Sequence, residues 1–456
     1  MSATQQDYKL SLPTAILINI NIMLGAGIFI NTPTLAQRAG LLGAFMYVLV
    51  GILMLPLILS IARLLRLHPS GGFYTFAQKE INPFMGFLSG WSYFTAKLAS
   101  CMLMIHVSVT LLQHIFPILT YVHAFVLDFV IVCFFSVLNL LNIKAGSSIQ
   151  KMFIGFKTFP IFFAISTGIF LLQSDNYSQS HIVWEGLNSS LPLVIYAVIG
   201  FEAACSMSSK IKDAHKNAPL AVLISFAVVI LIATLYQAVF YGALGHQLAH
   251  CGGHCDTFPA LVTTLFGDTP FAHKFEGILH LAIASSTLGA AYGIIFSNSW
   301  NLHILAQNNH IWFSKFFTKF NKNLIPSACV IVEGIICLTY LMVSQGVLVP
   351  LQQIGAFGCI ISYTFSVVAL LQATKNNPAV TTNRWIPILA LASCSLLMTA
   401  CFRSFFINGM SSLIIYSFLL ALGICMYVMT SRKESGLREE SGFRIQEPEP
   451  ASRSTN

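Results

Sequence analysis

Twelve long apolar runs constrain this chain more than any other feature. They fall at about 13–39, 40–62, 84–115, 121–142, 152–173, 188–209, 219–245, 274–305, 327–344, 347–371, 385–403 and 410–430. Each is close to, or longer than, the ~20 apolar residues that a helix needs to cross the bilayer hydrocarbon. Only 9% of the residues are charged, against about 25% in soluble domains. The expected fold is an all-α integral membrane protein with one transmembrane helix per run. A transmembrane β-barrel is excluded, because its strands alternate apolar and polar residues instead of running apolar throughout. The third and eighth runs are the longest, and so are expected to be steeply tilted.

The net charge of +8 is a matter of topology and not of nucleic-acid binding. With the N-terminus inside, only Arg38, Lys274 and Arg403 fall on the outer side. Lys97 and Lys157 lie within the membrane, and every other Lys and Arg faces the cytoplasm. This asymmetry supports the helix count and cytoplasmic termini together, since a missed helix would scramble it. Met1 to Lys9 is polar and leads into the first run, so no cleavable signal peptide is expected. The charged tail 431–456, rich in Ser, Pro and Glu, reads as disordered. The 11 cysteines lie mostly singly in apolar runs, as small hydrophobic filler.

The first run carries Leu24-Gly25-Ala26-Gly27-Ile28-Phe29. Glycine weakens a helix by roughly 1 kcal/mol relative to alanine. Broken backbone at membrane depth is tolerated only where it lines a cavity or is buried in protein. The pair therefore reads as an unwound helix whose second half presents free amides to an anion. The other reading is a small-residue face that lets a neighbouring helix approach. The sixth run repeats the signal in Ile199-Gly200-Phe201-Glu202. An odd number of helices separates the two, so a second repeat starting there is inverted relative to the first. Interrupted helices at matching positions of inverted halves point to a transporter site. Repeat one then covers about 13–173, repeat two about 188–371, and two extra helices about 385–430. Residues 1–12 form a cytoplasmic N-terminus, and 13–430 the transmembrane domain.

In this order, the motifs resemble those of the amino acid–polyamine–organocation permeases. Gly25-Ala-Gly-Ile-Phe29 matches the first-helix motif and Ile199-Gly200-Phe201-Glu202 the sixth-helix motif. Pro69-Ser70-Gly71-Gly72-Phe73-Tyr74 resembles the loop after helix two. Lys210 to Pro219 resembles the loop after helix six, with lysine at 210 and no first proline. The family's serine-arginine pair in helix eight is replaced around Asn298-Ser299-Trp300-Asn301, which leaves the inner-gate chemistry open. The resemblance runs from about residue 10 to 430. It implies a LeuT-like fold of five plus five inverted helices, with helices one and six unwound. It also implies that amides around Ala26, Gly27 and Ile28 bind a substrate carboxylate. Carbonyls around Ala197, Val198 and Gly200 would receive the ammonium, with Phe201 as a gate over the substrate. Half-helix ends have the matching polarity.

Lys157 lies deep in the fifth run. An intramembrane lysine costs about 3 kcal/mol or much more unless paired or hydrated. It matches the lysine of proton-coupled and sodium-independent family members, as a proton carrier or a built-in cation. The bland alternative is a lysine snorkelling to the cytoplasm. Ser285 and Ser286 are its expected neighbours, or simply helix-packing serines. A stripe at Ser89, Tyr93, Lys97, Ser100, Met104 and Ser108 shares one face of helix three. The resemblance places Ala96, Lys97 and Cys101 near the substrate side chain. Lys97 there would favour an acidic or polar substrate, or pair with Glu202. Glu202 would join a proton path or serve in structural pairing. Asp128 and Glu333 read as helix-packing or end-of-span groups.

The outer loop between runs seven and eight holds His246, His250, Cys251, His254 and Cys255. This set suits zinc or copper, a short disulfide, or a plain polar loop, which is the leading reading. No resident metal or cofactor is expected. The function expected is secondary amino acid transport by alternating access, with proton-coupled uptake first and exchange second. A non-transporting amino acid sensor is the alternative of another class. No catalytic triad, two-metal cluster or nucleotide loop suggests an enzyme. The partners are a small amino acid, a proton and the lipid bilayer, with no nucleic acid; oligomeric state stays open. Short loops and compact size favour a bacterial inner membrane.

Overall fold

A computed structural model of the chain describes residues 9–69, 71–178, 184–251, 254–344, 347–377 and 383–442. The regular elements among the described residues are helices, with no strand beyond one isolated parallel bridge, Leu10 to Ile211. The first helices are α1 (Leu12–Met23), α2 (Ala26–Ala39), α3 (Leu42–Leu67), α4 (Phe73–Glu80) and α5 (Pro83–Ile115). Next come α6 (Ala124–Asn139), α7 (Ile143–Phe170), α8 (Asp175–Ser178), α9 (Trp184–Val198) and α10 (Ala203–Ser206). Then follow α11 (Ala214–Leu244), α12 (His246–His250), α13 (His254–Phe266) and α14 (Pro270–Gln307). The chain closes with α15 (Ser314–Phe317), α16 (Ser327–Ser344), α17 (Leu348–Asn376), α18 (Trp385–Asn408) and α19 (Ser411–Gly442).

Polar caps explain where several of these helices start. Asn82, Asn142 and Thr269 each accept a backbone N–H with the side chain, and proline follows Asn82 and Thr269 at the first helical position. Gly40 ends α2 with φ +54, where a Cβ would be strained.

Among the described residues, nine helices are long and apolar enough to cross a membrane. Counting α1 and α2 as one broken span, bent by 44°, makes ten. The expected fourth and sixth spans differ: α6 has 16 residues, and the sixth run is interrupted after Val198. The third and eighth runs do form the long helices α5 and α14, of 33 and 38 residues. The tail expected to be disordered is helical to Gly442, because α19 runs on without a break. Residues 443–456 lie outside the described residues.

The core is organised around α5, which packs along both α14 and α17. The most apolar stretches of α14 and α17 are 72% buried, whereas that of α19 is 11% buried. Helices α14 and α17 are thus central, and α19 is peripheral. The half-helix α1 packs against α7, α11 and α14, while α2 packs against α9. Both halves of the first run are therefore enclosed by protein, where broken backbone can be satisfied.

Candidate functional site

The glycine pair does break the first run. Helix α1 ends at Met23, and α2 starts at Ala26 with Gly25 as its cap. No side chain caps α2, so its first amides are unclaimed by side chains. The small-residue reading holds at the same place. A Cβ on Gly27 would stand 2.7 Å from Ala197 Cα, and one on Gly25 2.7 Å from Met104 Cε. Glycine here serves both the break and the close approach of α2 to α9. Ala26 and Ile28 are fully buried beside it.

Lys157 fills the opposite end of the break. Its ammonium donates to Asn21 O at 2.6 Å and Leu24 O at 2.5 Å. The last carbonyls of a helix lack internal partners and carry the negative end of its dipole, so a cation belongs there. Lys157 is 1% exposed and reaches inward, which overturns snorkelling to the cytoplasm. Ser286 Oγ donates to the same Leu24 carbonyl at 3.2 Å. Ser285, one residue earlier on the helix, points elsewhere and is half-buried. Asn21 also bonds to Gly289 O at 2.9 Å and to the Gln150 side chain, tying α1 to α14 and α7.

The sixth run breaks between Val198 and Ala203, where Gly200 adopts φ +137. Ala197 and Val198 lie in the last turn of α9, so their carbonyls end at the break. Glu202 folds back onto it. One carboxylate oxygen accepts from the Gly200 amide at 2.8 Å. The other accepts from Tyr93 Oη and Lys97 Nζ, each at 3.2 Å. Lys97 is 2% exposed and forms an ion pair with Glu202, the pairing that is one of its two expected roles. Cys101, expected beside the substrate, is buried and directs its thiol to Ala291 O on α14 at 3.6 Å. Phe201 is fully buried, with the Phe226 and Tyr363 rings 5.7 and 5.6 Å away. Asn19 joins the two breaks. It donates to Phe201 O at 2.6 Å and accepts from the Ala204 amide at 2.9 Å.

Sequence reasoning passed over Asn19, Asn21 and Gln150. The signal was present: unpaired amide side chains are costly in an apolar run, and two asparagines stand two residues apart just before Leu24.

The end of the bundle nearest Leu10 is bridged by several contacts. Leu10 exchanges backbone bonds with Lys210 and Lys212, at 2.8 and 2.9 Å. Lys210 stands 4.5 Å over the Trp300 ring. Burial and the neighbouring Lys9 charge lower the Lys210 pKa. Asn301 donates to Ser206 Oγ at 3.0 Å and to Asn298 Oδ1 at 2.9 Å. Ser208 Oγ donates to Gly71 O at 3.0 Å, which seats the loop after α3 beneath α10. The replaced residues of the eighth run therefore still form contacts at this end, by cation–π and amide bonding. On the far side, a small cavity of about 50 Å³ is lined by Arg38, Pro192, Gln353, Ser404 and Phe405, among others.

The outer histidine and cysteine loop is not assembled as a site among the described residues. No group of three or more potential ligands stands together there. His250 Nδ1 binds His246 O at 2.8 Å, and the Cys255 carbonyl meets His280 Nε2 at 2.9 Å. Cys251 and Cys255 are free thiols, with pKa values raised by burial and then by Asp256. The disulfide alternative is therefore not realised. Gly252 and Gly253 lie outside the described residues.

The chain is 21% identical to the b(0,+)-type amino acid transporter 1 of Mus musculus over 75% of this chain and 71% of that one. For the Homo sapiens protein of the same name, identity is 21% over 81% of this chain and 76% of that one. An uncharacterized transporter of Mycobacterium bovis is 22% identical over 95% of both chains. A family profile described as "Amino acid permease" matches residues 10–430.

Proposed function

This chain belongs to the amino acid permease family, and from that premise we propose that it takes up amino acids by proton-driven alternating access. As a permease it is an integral membrane transporter and not an enzyme. The proposal extends to a LeuT-like arrangement of twelve spans in five-plus-five inverted repeats, with two extra helices and both termini cytoplasmic. The membrane proposed is a bacterial inner membrane.

The observation that carries the proton reading is the Lys157 ammonium on the Leu24 and Asn21 carbonyls. A proton leaving this lysine weakens its hold on the end of α1, because bonds from a charged donor are the stronger ones. Proton loss and movement of the broken helix would then be linked. The uncapped α2 amides supply the carboxylate side of an amino acid site, and the carbonyls ending α9 supply the ammonium side. Because Glu202 opposes the Lys97 charge, the side-chain region favours neutral over acidic substrates. Exchange is the second reading, favoured if the two carbonyls hold Lys157 charged throughout the cycle.

The test is counterflow. Proteoliposomes loaded with unlabelled amino acids should concentrate labelled neutral amino acids from outside. Failure across a full amino acid mixture would remove the transport reading in favour of a sensor.

A further inference from the structure

Of the buried acids that the transport reading does not use, Asp128 is paired with His106, whereas Glu333 is not. Glu333 lies in α16 with no exposed surface, and neither carboxyl oxygen accepts a hydrogen bond. Among the described residues, no lysine, arginine or histidine forms an ion pair with it. The titratable groups acting on it or acted on by it are the Cys337 and Cys329 thiols of its own helix. Helix α14 presents Asn298, the polar side chain that acts on Glu333, without a well-formed hydrogen bond to either carboxyl oxygen. No charged side chain of α5, α6, α14, α15 or α17 interacts with it. A lone carboxylate in such a place is expensive, whereas the neutral acid is tolerated.

The Asn298 side chain is engaged on both sides elsewhere. Its amide nitrogen donates to Phe94 O at 3.1 Å, while its oxygen accepts from Asn301 at 2.9 Å. Asn301 in turn donates to Ser206 Oγ on α10. A chain of amides thus links the buried acid to the inner end of the sixth run. If Glu333 loses its proton, the polar side chain placed to answer is the Asn298 amide. A hydrogen bond to a charged acceptor is about twice as strong as a neutral one. Turning Asn298 toward the carboxylate breaks its bond to Phe94 and withdraws its oxygen from Asn301. The hold on Ser206 then loosens.

We propose that Glu333 is a proton-binding site whose occupancy is read through Asn298 and Asn301 by α10. With the proton bound, α10 is pinned and the inner side is closed. With the proton released, α10 is freed and the inner side opens. This rests on the transport reading above and gives that cycle a second proton-sensitive group beside Lys157.

Cys205 reports on the step, because it lies in α10 and is 1% exposed. Its labelling by a maleimide added from the inner side would be quantified by peptide mass spectrometry, in the full chain in proteoliposomes. Rates for wild type are divided by those for Glu333→Gln, which mimics the neutral acid; the ratio cancels the titration of the thiol itself. The ratio should rise from near unity in acid to about threefold or more in alkali. A ratio that stays constant overturns the proposal. Should Glu333→Gln not fold, Asn298→Ala serves, because it keeps the acid and removes the reader. It should label faster than wild type in acid and match it only in alkali; a constant ratio again overturns the proposal. Counterflow by the same vesicles judges the transport reading separately.

Discussion

At the scale of the residue, the site is a set of buried charges with named partners. Glu202 is held by Lys97, Tyr93 and the Gly200 amide. Removing one member of a buried pair strands the other, at a cost of about 3–5 kcal/mol. Lys97→Met should therefore lower thermal stability sharply and abolish uptake. The double variant Lys97→Met with Glu202→Gln should regain most of the stability. A double variant as unstable as the single one would show that the charge pair is not the cause. At this scale the sequence was informative in part. An intramembrane lysine advertises its need for a partner, so Lys97 and Lys157 stood out. Their partners were not legible, because backbone carbonyls such as Leu24 O have no side-chain signature. Ser285 and Ser286 could not be told apart, since adjacent residues on a helix point about 100° from each other and only packing decides which faces inward.

At the scale of the element, the two breaks are unequal in their demands. A Cβ on Gly27 meets the Ala197 backbone, whereas one on Gly25 meets the flexible end of Met104 and the Ala290 methyl. Backbone cannot yield as a methionine can. Overpacking costs about 1–3 kcal/mol. Gly27→Ala should depress initial uptake by about tenfold or more, and Gly25→Ala by less; equal effects would contradict this packing. Both breaks were legible as glycines in apolar runs. The loss of full length in α6 was not. Run 121–142 is apolar almost throughout, but the Phe116 to Val122 stretch turns as a 3-10 segment before His123 caps α6. Composition alone does not register that boundary.

At the scale of the molecule, the end of the bundle nearest Leu10, cytoplasmic in the proposed topology, is bridged by groups far apart in sequence. Residue 10 meets residues 210 and 212, and Lys210 meets Trp300. A cation–π contact contributes about 0.5–1 kcal/mol where it is partly hydrated, as at the half-exposed Lys210. Trp300→Leu should therefore raise inner-side labelling of Cys205 by about two- to fivefold, and no change would remove Trp300 from the closure. None of these pairings carries a local signal, which is why the replaced residues of the eighth run looked like a gap in the motif. The membership of the chain in its family did not depend on them.

The most direct measurement is accumulation of labelled amino acid in proteoliposomes under an inward proton gradient, for wild type and Lys157→Ala. The result expected is uptake above equilibrium in wild type, collapsed by a proton ionophore and lost in the variant. Uptake indifferent to the gradient, driven only by amino acid trapped inside and retained in Lys157→Ala, would contradict the proton-coupled role of that lysine.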